Sequence, residues 1–270
     1  MFVIASNITT RQPNVASLFD KLKASGWDLD GDAAAVLQKL AAQCVDAGAD
    51  ALEISTLHHM DEPEAMEAAV KIVQRTTDRQ LCLSTNNVRA LEAGLDACRG
   101  SPIVNYVSMD EMKLKHMLPL AADRGAEAVL LLSEPEAPRA AQEMLHNAAV
   151  LVGAANESGI DDDRLFVDPG VIHITRSIGQ QHLVEVRRFL ESLPDVFEPP
   201  VRSTCWLANA SAGAPKRVRL TIETILLAML AGLGLSSVFL DVLAPDNMRV
   251  IRALRVFSNE VVYSEQDFEY

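Results

Sequence analysis

The segment LCLSTNNVRALEAGL, residues 81–95, carries one strand, one loop and one helix in fifteen positions. Leu81, Cys82 and Leu83 suit a short buried strand, and the apolar spacing from Val88 onward suits an amphipathic helix. Between them stand Ser84, Thr85, Asn86 and Asn87, small polar residues that each need a hydrogen-bond partner if they stay inside. Two readings are open. Such residues favour helix N-caps, which a strand-to-helix loop requires, and Asn87 is placed to be one. They also suit the polar floor of a site at a strand end.

The same alternation runs along the chain. Candidate strands are FVIAS (2–6), ALEIS (51–55), LCLS (81–84), IVNY (103–106), AVLLLS (128–133), LFVD (165–168), VRSTCW (201–206) and SVFLD (237–241). Helical patterns cover 33–47, 63–75, 88–97, 111–122, 140–158, 182–192, 218–231 and 247–256, with closing glycines expected at Gly48, Gly94 and Gly125. Eight strands, each followed by a helix, with no linker or shift in composition, predict an α/β fold: a single (β/α)8 TIM barrel spanning residues 1–270 as one domain. An open doubly wound sheet is the alternative, but no strand leads into GxGxxG or GxxxxGK. Residues 7–32 read as a long first connection, rich in turn formers and carrying Trp27, laid over the barrel mouth.

With 270 residues and 49% apolar content the chain can bury one large core. A net charge of −13 disfavours nucleic acid and anionic membranes as partners. No apolar run reaches the roughly 18 residues of a membrane span, and the opening MFVIASN has no basic n-region, so no signal peptide is expected. Cys44, Cys82, Cys98 and Cys205 form no CxxC pair and fit buried thiols in a reducing cytoplasm. Adjacent His58 and His59 lack further ligands in pattern, and no metal is expected. Met66 and Met144 read as core filling, Asp161 to Asp163 as a solvated turn, and Arg202 as a rim residue.

In such a barrel the active site forms at the C-terminal ends of the strands. Those positions hold Ser6 and Asn7, Glu53 and Ser55, Ser84 with the two asparagines, Asn105, Ser133 and Glu134, Asp168, Asn209 and Ser211, and Asp241. Neither a hydrolytic triad nor a strand-end lysine for Schiff-base chemistry is among them. Amides with one or two carboxylates match a flat neutral heterocycle bearing donors and acceptors, such as a pterin or purine. Capping explains Asn105 and Asp168 less well than a site does: Asn105 precedes Tyr106 well before the expected cap at Ser108, and Asp168 is locked beside Pro169.

LCLSTNNVRALEAGL, IVNYVS, LPLAADRGAEAVLLL, the Asp-Pro of LFVDPGVI, LANAS and the closing NEVVYSEQDF resemble, in order, the pterin-binding barrels. Within these the sequence is most similar to the methyltetrahydrofolate:corrinoid methyltransferases, with dihydropteroate synthase a more distant relative. The resemblance implies a pterin held in the barrel mouth by Asn105 after strand 4, Asp168 after strand 6 and Asn209 after strand 7, with Asn209 as the catalytic residue approaching N5. Ser84 stands where the family places an Asp, Ser6 and Thr9 where it places Glu and Asn, and Glu53 and Ser55 where it places Asp and Asn. Losing the charge-assisted bond at Ser84 costs ~1.5–3 kcal/mol unless another group such as Glu53 supplies it.

The function so implied is methyl transfer between N5 of tetrahydrofolate and the cobalt of a corrinoid (cobalamin), in either direction. No DxHxxG-type cobalamin-binding segment is present, so the corrinoid is expected on a partner protein; a homodimer is implied by the resemblance alone. Two alternatives are a dihydropteroate-synthase-like condensation, for which Lys216 and Arg217 are the obvious basic residues, and a barrel whose substituted pocket retains only corrinoid-protein docking or takes a different ligand.

Overall fold

A computed structural model of the chain describes residues 1–134 and 136–265. Residues 266–268 of the NEVVYSEQDF segment lie outside the described residues. Eight parallel strands form a nearly closed (β/α)8 barrel: β1 (Phe2–Thr9), β2 (Ala51–Ser55), β3 (Gln80–Ser84), β4 (Ile103–Val107), β5 (Glu127–Leu131), β6 (Leu165–Asp168), β7 (Arg202–Ser203) and β8 (Ser237–Leu240). From β1 to β7 each strand pairs with the next, and β1 also pairs with β8, which leaves β7 and β8 as the unpaired seam. The helices are α1 (Pro13–Ala24), α2 (Asp32–Asp46), α3 (Pro63–Gln74), α4 (Val88–Ala97), α5 (Leu118–Asp123), α6 (Ala141–Glu157), α7 (Gly179–Ser192), α8 (Leu207–Ser211), α9 (Lys216–Ala231) and α10 (Pro245–Phe257).

The pleat divides the apolar residues into two bodies. Val3, Ala5, Leu52, Ile54, Leu83, Val104, Leu130 and Val167 face outward and pack under the helices. Ile4, Ala51, Cys82, Ile103, Val129, Phe166 and Phe239, the alternate positions, form a separate belt inside the barrel. Cys44, Cys82 and Cys205 are buried free thiols as expected, whereas Cys98 is only half-buried, and Met66 and Met144 are fully buried in the core.

Three expectations need correction. The first connection is not mainly loop: β1 continues to Thr9, and PNVASLFDKLKA forms α1. Pro13 opens that helix, and Val15, Leu18, Phe19 and Leu22, at helical spacing, are buried beneath it. Gly94 does not end α4 but lies within it, because a Cβ there would come 2.6 Å from Met66 Cγ where α3 and α4 pack. The cap after β4 is Asp110 rather than Ser108: Asp110 Oδ1 accepts from the backbone N–H groups of Met112 and Lys113 at 3.0 and 3.1 Å. Arg202 is half-buried at the start of β7. Its guanidinium lies 3.7 Å from the Phe166 ring centroid and pairs with Glu127.

The predicted seventh strand, 201–206, reduces to two paired residues, and the barrel closes by other means. Phe239 N donates to Cys205 O at 2.9 Å, and Trp206 bridges Phe239 with its ring stacked on that phenyl at 5.3 Å. Below that bridge, Ser203 N donates to Ser236 Oγ at 2.7 Å and Ser236 Oγ donates to Ser203 O at 2.8 Å. Hydroxyls here replace the missing rungs of the ladder. Ser236→Ala removes both bonds and leaves the Ser203 amide unpaired, so it should lower unfolding free energy by about 1–3 kcal/mol in urea titration; an unchanged midpoint would mean the seam closes without the hydroxyl.

Candidate active site

One layer above the apolar belt, two residues further along the strands, stand Glu53, Ser84, Asn105, Leu131 and Asp168. The register places Ser84 beside Asn105 and Leu131 beside Asp168. Ser84 Oγ donates to Glu53 Oε1 at 2.5 Å, and Asn105 Nδ2 donates to Ser84 Oγ at 2.8 Å and Glu53 Oε1 at 3.4 Å. Glu53 and Ser84 are fully buried. Burial pushes the Glu53 carboxyl up to about 8, against the opposing pull of the bonds from Ser84 and Asn105. Its second oxygen, Oε2, has no hydrogen-bond partner among the described residues, nor has Ser55 Oγ two residues on.

Above this layer a cleft of about 180 Å³ opens at the C-terminal mouth, smaller than the roughly 300–1,000 Å³ of sites for drug-sized ligands. Its lining includes Arg11, Ser55, Asn105, Asp168 and Asn209, and Leu57, Tyr106, Leu131 and Trp206 supply apolar and aromatic walls. Asp168 Oδ1 accepts from Gly170 N at 2.8 Å, and burial raises this carboxyl to about 7. Among the described residues its other oxygen, the carbonyl of Asn105 and the side-chain amide of Asn209 make no hydrogen bond and are left for a ligand.

The structure thus brings Asn105, Asp168, Asn209 and Ser55 to one cavity. It sets Ser84 and Glu53 beneath it, reached through Asn105, and leaves Ser6 buried on β1 outside the lining. The polar run after β3 turns out to serve the loop. Asn87 caps α4 through Arg89 N at 3.0 Å, while Thr85 and the Asn86 amide bond the side chain of Asp61, and Asn87 Nδ2 donates to its carbonyl. Asp241 is likewise structural, accepting from Asn7 Nδ2 at 2.5 Å.

Arg11, Leu57, His58 and Trp206 also line the cleft and were not read from the sequence as site residues. Arg11 and His58 each lie two or three residues beyond a strand end, the one sequence signal available for them. His58 is held below the ordinary imidazole range by burial and by Arg11; His59 instead pairs with Asp20. Among the described residues, no group of three or more His, Cys, Asp or Glu side chains is arranged to hold a metal. Beside the cleft, Tyr106 OH donates to Glu134 Oε1 at 2.5 Å, and Lys113 Nζ reaches Glu134 at 3.2 Å while lying 3.6 Å from the Tyr106 ring centroid. This clamp fixes the aromatic wall.

Residues 17–238 match the family model described as pterin binding enzyme. The chain is 25% identical over 195 residues to the methylcorrinoid:tetrahydrofolate methyltransferase of Eubacterium limosum, covering 71% of this chain and 70% of that protein. Among solved structures it superposes on the dihydropteroate synthase of Xanthomonas albilineans with 4-aminobenzoic acid (TM-score 0.66, 18% identity, 97% and 94% of the two chains). It also superposes on the 7,8-dihydropteroate synthase of Vibrio fischeri ES114 (TM-score 0.68, 16% identity, 97% and 94%). At these identities the likeness to solved structures is one of fold.

Two substitutions probe the buried layer. An unfolded glutamic acid loses its proton near pH ~4.3, folded Glu53 near about 8. Between those values the folded state keeps a proton that the unfolded state has released, so stability falls as pH rises through the window and levels off above it. Glu53→Gln should flatten that slope and raise Tm at pH 8, by ~2–4 °C for each kcal/mol recovered; an unaltered pH profile in calorimetry would rule out a buried protonated Glu53. Ser84→Asp places a second carboxyl against Glu53 in a filled space and should cost about 1–3 kcal/mol. The double variant with Glu53→Gln should recover much of that loss in urea titration, and strict additivity would refute the coupling.

Proposed function

The chain belongs to the pterin-binding enzymes, and from that premise we propose that it moves a methyl group between N5 of tetrahydrofolate and a corrinoid cobalt. The corrinoid is a co-substrate carried by a partner protein, and its cobalt supplies or accepts the methyl group. The enzyme is cytoplasmic and uses residues 1–270 as one barrel domain. No helix of the described residues is long and apolar enough to cross a membrane. A homodimeric assembly, implied by the family resemblance, is part of the same proposal.

The observation that carries this reading is the convergence of Asn105, Asp168 and Asn209, each with an unused hydrogen-bonding atom, on one cleft with aromatic and apolar walls. A pterin is flat, with ring N–H groups beside ring acceptors. Asp168, ionised above about pH 7, accepts from such N–H groups, and the Asn105 carbonyl accepts another. Tyr106, Trp206 and Leu131 cover apolar ring surface. Glu53 and Ser84 hold the Asn105 amide from below, so that its carbonyl is already oriented when the ring arrives. This arrangement supports Glu53 as the carboxyl that compensates for Ser84, acting through Asn105.

The relative's name gives the direction methylcorrinoid to tetrahydrofolate, and the neutral amide of Asn209 suits it. In that direction the N5 lone pair attacks the methyl group, cobalt goes from Co(III) to Co(I) keeping the bond pair, and N5 releases its proton. The protein has to orient a nucleophile, which an amide does by hydrogen bonding. The reverse reaction asks for protonation of N5 as the C–N bond breaks, a step that Asn209 serves only as a hydrogen-bond donor.

Incubation of the protein with methylcobalamin and tetrahydrofolate should yield methyltetrahydrofolate by mass spectrometry, faster with a methylated corrinoid protein. Asn209→Ala should lower kcat by ~10–100-fold with a smaller change in pterin affinity by calorimetry. Absence of product in both directions with a competent corrinoid protein present would overturn the assignment.

A further inference from the structure

A second concavity of about 520 Å³ adjoins the cleft and shares Arg11, Leu131 and Asn209 with it. Its outer wall is the segment after β6, which contributes His173 and Arg176. That segment is pinned. Gly170 turns at φ +72° with the Ser133 hydroxyl 1.9 Å from where a Cβ would stand, so only glycine fits the turn. Ile174 N donates to Ala210 O at 3.0 Å, Arg176 N donates to His173 O at 3.1 Å, and His173 Nδ1 bonds Thr175 Oγ1 at 2.6 Å. Gly213, at φ +79°, lets Thr175 approach α8. The wall is therefore in place before any ligand binds.

Two guanidiniums, Arg11 and Arg176, line this preformed concavity, and among the described residues neither has a carboxylate partner. Elsewhere on a chain of net charge −13, Arg75, Arg124, Arg202 and Arg255 each hold an acidic side chain. Asn209, beside which the proposed function places the reactive part of the pterin, lines both cavities. A tetrahydrofolate whose ring occupies the inner cleft can extend its aminobenzoyl-glutamate arm past Asn209 into the adjoining concavity, and that arm ends in carboxylates.

We propose that the outer concavity is a subsite for the acidic glutamate tail of the folate, with Arg11 and Arg176 as its carboxylate-binding residues and as the source of a preference for polyglutamylated substrate. This rests on the pterin reading of the inner cleft. Guanidinium pairs with carboxylates in a two-pronged geometry that a wet, partly exposed site still rewards, and successive glutamates add charge within its reach.

Calorimetry with three probes tests it: 6-methyltetrahydropterin, which has no tail, tetrahydrofolate monoglutamate and tetrahydrofolate triglutamate. In the unaltered protein, affinity should rise from the first to the third and the increments should shrink with added salt. Arg176→Ala should reduce the triglutamate-to-tailless affinity ratio about tenfold, Arg176→Lys should restore part of it, and Arg11→Ala should reduce it as well. Equal affinities for tailed and tailless ligands, or a ratio unmoved by Arg176→Ala, would overturn the subsite while leaving the pterin assignment standing. Failure of all three probes to bind would overturn both. Displacement of triglutamate by pyrophosphate at equal concentration, but not by free triglutamate peptide, would mark a phosphate site and overturn the tail assignment.

Discussion

Alternation along each parallel strand sends every second side chain to the barrel axis, where its only partners are other inward side chains. At the belt of Ile4, Ala51, Cys82, Ile103, Val129, Phe166 and Phe239 the result is ordinary apolar packing. One layer higher the same geometry forces polar groups together. Glu53 has no route to water and is satisfied only through Ser84 and Asn105, which leaves one carboxyl oxygen unpartnered. A buried carboxyl in that position favours its protonated form, so the layer costs stability as the pH rises. What it gains is a fixed Asn105 at the floor of the cleft.

Closure of the barrel and construction of the site share residues. Because β7 pairs over only two positions, serine hydroxyls and the Trp206 to Phe239 stack complete the ring. Trp206 is also a wall of the cleft, and Asn209 follows it by three residues on α8. Loosening this seam would therefore move both the aromatic wall and the amide. On the opposite side, the Tyr106, Glu134 and Lys113 clamp ties the end of β4 to the loop after β5. Lys113 is nearly buried, and burial lowers its pKa while Glu134 opposes that shift. The site is held from two sides by contacts made between loops distant in sequence.

Much of the site was legible in order along the chain. Asn105, Asp168 and Asn209 were found as neutral or acidic hydrogen-bonders at strand ends, and they meet at one cleft. Asn87 was legible as a cap. Arg11, His58 and Trp206 were not, because a residue two or three places beyond a strand end faces the cavity or solvent according to loop conformation, which no periodicity encodes. Asp61 shows the same limit: it satisfies the Thr85 and Asn86 groups from a different loop, across twenty-five residues. Gly94 misled for a related reason, since a glycine at a helix crossing and a glycine at a helix end look alike until the partner, Met66, is known.

The sequence by itself determined the eight βα units, the barrel they form and the identity of the polar residues delivered to its mouth, because strand and helix periods and cap chemistry are local properties of the chain. It also contained α1 in the spacing of Val15, Leu18, Phe19 and Leu22, hidden among turn formers. Only the tertiary structure decided that Glu53 binds Ser84 and Asn105, that hydroxyls close the seam beside β7, and that Arg11 and Arg176 line one concavity. Those outcomes depend on strand register and on loops meeting across the barrel, where the distance between two side chains is set by the whole ring of strands rather than by their separation in sequence.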